Sequence, residues 1–179
     1  MTTSAAATSM SGASKAAAVG SPIGFALRPA LQTLNSLKSS PRPNILTVDD
    51  AKAVRRLVEA ALREFDCDVA ESDNGYKALY AMERCMPDLI LLDVNMPTMG
   101  GLPMLELLRK SDQPALIALP VIMLTSPGDH DVAGEIAALG VRATLMKPFT
   151  PAQLIEKIRG VIELRLRRSS TSAPGPVTS

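Results

Sequence analysis

The sequence predicts an α/β fold, a doubly wound parallel sheet of five strands covered on both faces by five helices. Three observations carry that expectation. From Asn44 onward, short apolar runs alternate with segments whose apolar residues recur at helical spacing. Two of the runs, Leu89–Leu92 and Pro120–Leu124, are apolar without alternation, as strands buried on both faces must be. Strand and helix then follow one another five times, which right-handed crossovers turn into a parallel sheet.

The elements follow in order. Asn44–Val48 is a short strand ending in Asp49-Asp50, and Val54, Leu57, Val58, Ala61, Leu62 and Phe65 form the stripe of the first helix. Asp68–Glu71 is a second, weaker strand. Asn74-Gly75 opens a helix that runs to about Cys85, where Pro87 stops it. Leu89–Leu92 ends at Asp93, and the Pro97–Gly101 turn leads to a helix around Leu102–Lys110. Pro120–Leu124 is the fourth strand. Asp131–Leu139 is a helix with Val132, Ile136 and Leu139 inward, and Ala143–Met146 is the fifth strand. Thr150-Pro151-Ala152-Gln153 reads as a capping box with Pro at the first helical position. The buried stripe of this last helix is Leu154, Ile155, Ile158, Val161 and Ile162, with Arg165, Arg167 and Arg168 at its end offsetting the helix dipole.

Outside this span the composition changes. Residues 1–20 and 169–179 are rich in small polar residues without periodicity and cannot bury enough apolar surface to offset their ordering entropy, so both ends are expected to be disordered. A short amphipathic helix is expected near 29–38, from Leu31, Leu34 and Leu37 behind Pro29, as a transiently helical linker or a docking element. Three parts result: a basic N-terminal extension (1–43), a domain (44–168) and a tail (169–179). The formal net charge of +1 conceals this division. All 18 acidic residues lie between Asp49 and Glu163, whereas the first 43 residues carry only Lys15, Arg28, Lys38 and Arg42, leaving 15 basic against 18 acidic residues in 44–168.

Several classes are excluded. Five aromatics and no Trp leave little for a base-stacking surface, so no nucleic-acid partner is expected. Cys67 and Cys85 without CxxC spacing, and a single His130, do not make a zinc site and read as reduced structural thiols and a surface imidazole. The longest apolar runs are about half of the roughly 18 residues a membrane span needs. The acid-poor start has too few Arg for an organellar transit peptide, and Ser21-Pro22 breaks its apolar stretch.

Chemistry is expected where open α/β sheets place it, outside the carboxyl ends of the strands. Asp49-Asp50 closes strand one, Asp93 strand three, Thr125 strand four and Lys147 strand five. Taken singly, each could cap a helix, open a turn or sit in solvent. Together they put three carboxylates at one sheet edge, where each pair repels by about 4 kcal/mol at roughly 4 Å and an effective dielectric near 20. A divalent cation and a lysine ammonium would neutralise them. Mg2+ suits one or two carboxylates, a main-chain carbonyl and a phosphate.

These residues carry a resemblance. Val48-Asp49-Asp50, Leu92-Asp93-Val94-Asn95-Met96-Pro97 with Gly100-Gly101, Leu124-Thr125-Ser126 and Lys147-Pro148-Phe149, in order and spacing, resemble the receiver domain of bacterial two-component response regulators of the single-domain chemotaxis type, over about 125 of the 179 residues. The resemblance implies a flavodoxin-like sheet in the order 2-1-3-4-5. It implies Asp93 as phosphoacceptor, with Asp49, Asp50, Asp93 and the backbone carbonyl of Asn95 as ligands of a Mg2+ cofactor. Lys147 would pair with the phosphoryl oxygens, the Thr125 hydroxyl would bond one of them, and the Lys147-Pro148 bond would be cis against the ordinary trans preference. Phosphoryl transfer asks mainly for positioning and charge neutralisation, which this set supplies. The implied partners are a sensor histidine kinase or phosphotransfer protein and a downstream protein target, in the cytoplasm.

The pattern departs from the family in two places. Thr144 stands where an aromatic switch residue is usual, and Pro127, two beyond Thr125, offers no side-chain hydrogen bond, so the phosphate lifetime should depend on Asn95. About 11 residues follow the expected last helix, too few for an output domain, so action by contact is expected, through the surface of the 131–139 helix, the fifth strand and the last helix. The expected function is a stand-alone phosphoacceptor that signals by contact or drains phosphoryl groups. The alternative is a pseudo-receiver, an unphosphorylated interaction module. A phosphatase of the haloacid-dehalogenase type would need a second Asp where Asn95 stands, and no Gly-rich phosphate loop is present.

Overall fold

The computed structural model describes residues 42–167; the N-terminal extension to residue 41, with the helix expected near 29–38, and the tail from 168 lie outside the described residues. Five strands, β1 (Asn44–Val48), β2 (Asp68–Ser72), β3 (Leu89–Asp93), β4 (Val121–Thr125) and β5 (Ala143–Met146), form one parallel sheet in the order β2-β1-β3-β4-β5. The register sets their carboxyl ends level: Val48 lies beside Ser72 and Leu92, Asp93 beside Leu124, and Thr125 beside Met146.

Among the described residues there are six α-helices, against five expected: α1 (Lys52–Leu62), α2 (Gly75–Arg84), α3 (Gly101–Arg109), α4 (Pro114–Ile117) and α5 (Ala133–Ala138) lie between strands, and α6 (Pro151–Arg159) follows the last. The additional α4 is a single turn begun by Pro114, and only Leu116 in it is buried. A 3-10 turn, Asp129–Val132, replaces the first turn of the helix expected from Asp131. Side-chain caps fix the starts of α2 and α6. The Asn74 side chain accepts from the Lys77 amide, and the capping box at Thr150 is complete, with Gln153 answering the Thr150 amide at 2.9 Å.

The last helix is shorter than its apolar stripe. It ends at Arg159, with Gly160 as its C-cap, and Val161 and Ile162 pack on the core from a turn. The chain then runs back along the end of α1: the Asp66 amide donates to the Arg165 carbonyl at 2.7 Å, the Arg167 amide to Glu64 at 2.8 Å, and Phe65 and Leu166 form an antiparallel bridge. Arg165 and Arg167 therefore lie on this strap, not on a helix terminus.

The pleat divides the core. Leu46, Val48, Ile90, Leu92, Val121 and Met123 face α2 and α3, whereas Ile45, Leu89, Leu91, Ile122, Leu124 and Leu145 face α1 and α6. Successive side chains alternate between faces, so Asp49, Asp93 and Lys147 continue the rows that face α1 and α6. Thr125 continues the opposite row. No helix among the described residues is long and apolar enough to cross a membrane.

Candidate functional site

Strand alternation and level strand ends bring Asp49, Asp50 and Asp93 together, with one carboxylate oxygen of each within 4.8 Å of the others. Asp49 is fully buried, Asp93 is 3% exposed and Asp50 faces solvent. Asp49 also spends one oxygen locally, since its Oδ1 accepts from the Ala51 amide at 2.9 Å. That bond fixes the turn before α1 without capping the helix interior, whose N-cap Ala51 has no side-chain bond.

Lys147 reaches this cluster from the end of β5, across β4. Its Nζ lies 2.7 Å from Asp49 Oδ2 and 2.7 Å from Asp93 Oδ1. Both contacts are ion pairs between buried or half-buried groups. Burial pushes the Asp93 carboxyl above its ordinary range, opposed by Lys147 and reinforced by the charge of Asp49. For Lys147, burial works to lower the ammonium pKa, but the two carboxylates outweigh it and the net displacement is upward. The ammonium is thus held charged beside a carboxylate whose charge is costly. The Lys147–Pro148 peptide is cis.

Two buried carboxylates, whose facing oxygens meet the Lys147 ammonium, beside a third carboxylate in solvent, make a hard, oxygen-only donor set. That chemistry fits Mg2+, which keeps water on its open positions and takes few protein carboxylates.

Three supports have roles that the sequence did not assign, although Gly101 belongs to the motif quoted from it. Arg55, on α1, donates from one guanidinium nitrogen to the carbonyls of Asp49 (2.7 Å) and Asp50 (3.1 Å) and is itself held by Glu71 on β2 at 3.0 Å. The only sequence signal was a polar position one turn beyond two aspartates. Gly101 opens α3 against the Asp93 main chain: a Cβ there would stand 2.1 Å from the Asp93 carbonyl oxygen. The third is Asp129, whose Oδ1 accepts from the Asn95 side-chain amide at 2.6 Å and whose Oδ2 accepts from the Ser126 amide.

Thr125 is half-buried at the end of β4, and its carbonyl accepts from the Lys147 amide at 2.7 Å. Thr144 is exposed on β5 and, with Thr125, His130, Ile136 and Met146, lines a cavity of about 540 Å3 beside α5. His130 is exposed in the 3-10 turn. Cys67 is buried, with its thiol pushed up by that burial, and Cys85 is exposed.

Comparison with known proteins agrees with this geometry. The family model for the response regulator receiver domain matches residues 45–159. The chain is 37% identical over 120 residues to the chemotaxis protein CheY of Pseudomonas aeruginosa, covering 66% of this chain and 95% of that one. It is 36% identical over 120 residues to the chemotaxis protein CheY-3 of Vibrio cholerae, covering 66% and 91%. Among solved structures, the chemotaxis response regulator CheY4 of Vibrio cholerae superposes with a TM-score of 0.62 at 30% identity, over 68% of this chain and 99% of that one.

Proposed function

The chain belongs to the response regulator receiver domain family, and from that premise we propose that it is a stand-alone response regulator that accepts a phosphoryl group on Asp93. The observation that carries this reading is the buried Asp93 carboxylate, 2.7 Å from the Lys147 ammonium and within 4.8 Å of two further carboxylates. An Asp93 oxygen attacks the phosphorus of a phosphohistidine on a sensor kinase or phosphotransfer protein, or of a small acyl phosphate. The new bond is P–O, the bond that breaks joins phosphorus to the donor's nitrogen or oxygen, and the donor leaves with the electron pair.

Asp49, Asp50, Asp93 and the Asn95 carbonyl are the groups that would hold Mg2+, which supplies neutralisation of the phosphoryl oxygens. Lys147 shifts from the Asp93 carboxylate to the phosphoryl oxygens, and the Thr125 hydroxyl turns toward one of them. Asp49 keeps the ammonium in reach throughout, because it holds the second of the two ion pairs. Water later cleaves the acyl phosphate, so the chain catalyses only its own modification and its reversal. The output is contact with a protein target, or removal of phosphoryl groups from a shared donor, in the cytoplasm where those donors act.

The experiment is NMR of the full chain with beryllofluoride and Mg2+, a stable stand-in for the phosphoryl group. Displaced resonances of Thr125 and Lys147 in the wild type, absent in Asp93→Asn, support phosphorylation as the signal. Unmoved resonances in both would favour an unphosphorylated interaction module.

A further inference from the structure

The bonds of Asp129 join two loops that the sheet leaves separate. Its Oδ1 takes the Asn95 amide across 34 residues of sequence. Its Oδ2 takes the Ser126 amide, and its own amide returns a bond to the Ser126 carbonyl at 3.0 Å. A carboxylate only accepts, which assigns the Asn95 nitrogen as the donor. Both main-chain groups of Ser126 are therefore held by one residue, and the same residue holds the side chain of Asn95. The preceding carbonyl, that of Thr125, is fixed by the Lys147 amide. With both oxygens engaged, Asp129 is not a fourth carboxylate for the acidic cluster. A purely local role, as an acid in the first turn of the 3-10 segment, would involve Ser126 and leave Asn95 aside.

Resting on the phosphoacceptor reading above, we propose that Asp129 is a positioning residue for the site. It locks the Asp93–Asn95 segment to the Thr125–Ser126 segment, so that the Asn95 carbonyl and the Thr125 hydroxyl hold a fixed relation to Asp93. Asp129 bonds the side chain of the residue whose carbonyl would ligate the metal, and groups that orient a metal's ligands typically carry roughly tenfold to hundredfold of the metal affinity.

A double-mutant cycle on the full chain tests the lock. Calorimetric titration with Mg2+ alone is expected to show roughly tenfold weaker binding in Asp129→Ala, and the rate of modification by acetyl phosphate at fixed Mg2+ falls with it. Asp129→Asn, which keeps the shape and leaves one oxygen for two donors, falls between, and serves if the alanine variant does not fold. In an Asn95→Ala background the Asp129 substitutions add less than about twofold, because the bond is already gone. Unchanged Mg2+ affinity in both Asp129 variants, or fully additive losses in the Asn95→Ala background, overturns the proposal, additivity marking a general charge effect. Wild-type chain that binds Mg2+ but takes no phosphoryl group from acetyl phosphate overturns the phosphoacceptor reading instead, while the calorimetric cycle still reports on Asp129.

Discussion

Removing the Lys147 ammonium should uncover the repulsion that the site otherwise hides. Lys147→Met keeps most of the side-chain volume and deletes both 2.7 Å ion pairs, to Asp49 and to Asp93. The two buried carboxylates, with ligand oxygens no more than 4.8 Å apart, then repel by about 3.5 kcal/mol at an effective dielectric near 20. Breaking a buried pair by removing one partner costs about 3–5 kcal/mol in general, which agrees. The assay is urea unfolding at neutral pH in the absence of divalent cations, with a loss of that size against wild type. Two additions sharpen it. Mg2+ at a hundredfold excess over its dissociation constant should return about 2.7 kcal/mol, and acidification that protonates the carboxylates should close the gap between the two proteins. A variant within about 0.5 kcal/mol of wild type, insensitive to Mg2+, would refute the view that Lys147 compensates a crowded anionic site.

Other consequences are equally specific. Asp93→Asn should stabilise the metal-free protein at pH 7, because burial raises the Asp93 pKa above its unfolded value. The contribution of Asp93 to wild-type stability is fully present below the unfolded value near 3.9 and is lost as pH rises through the folded one; thermal melts in a pH series should show the two proteins converging in acid. Gly101→Ala should lose about 1–3 kcal/mol or more in urea unfolding, since its Cβ would lie 2.1 Å from the Asp93 carbonyl, and should slow modification of Asp93 as that strand end shifts. Arg55→Met removes the donor to the Asp49 and Asp50 carbonyls and should weaken Mg2+ binding in calorimetry by about tenfold. Thr150→Ala should cost about 1 kcal/mol in thermal unfolding through loss of the α6 capping box, with Mg2+ affinity unchanged.

The central strands β3 and β4 were legible because burial on both faces leaves an unbroken apolar run, and β1 and β5 lie where Asn44–Val48 and Ala143–Met146 place them. The placement of the candidate residues at strand ends was legible for a related reason: a charged residue directly after such a run, as Asp93 after Leu89–Leu92, marks a strand end. What escaped was short or tertiary. Pro114–Ile117 is one turn long and shows no period. Val161 and Ile162 extend the apolar stripe of α6 although the helix has ended, and the signal for that end was Gly160 behind Lys157 and Arg159. Arg55 and Asp129 act through main-chain carbonyls and a residue 34 positions away, relations that neither spacing nor composition encodes.

Intact-mass spectrometry of the full chain after incubation with acetyl phosphate tests the role of Asp93 as phosphoacceptor most directly. The wild type should gain the mass of one phosphoryl group in the presence of Mg2+, lose it on standing, and gain none when the cation is chelated, while Asp93→Asn should gain none under any of these conditions. A wild type that stays unmodified, or an Asp93→Asn variant that takes up the group as readily, would contradict the assignment.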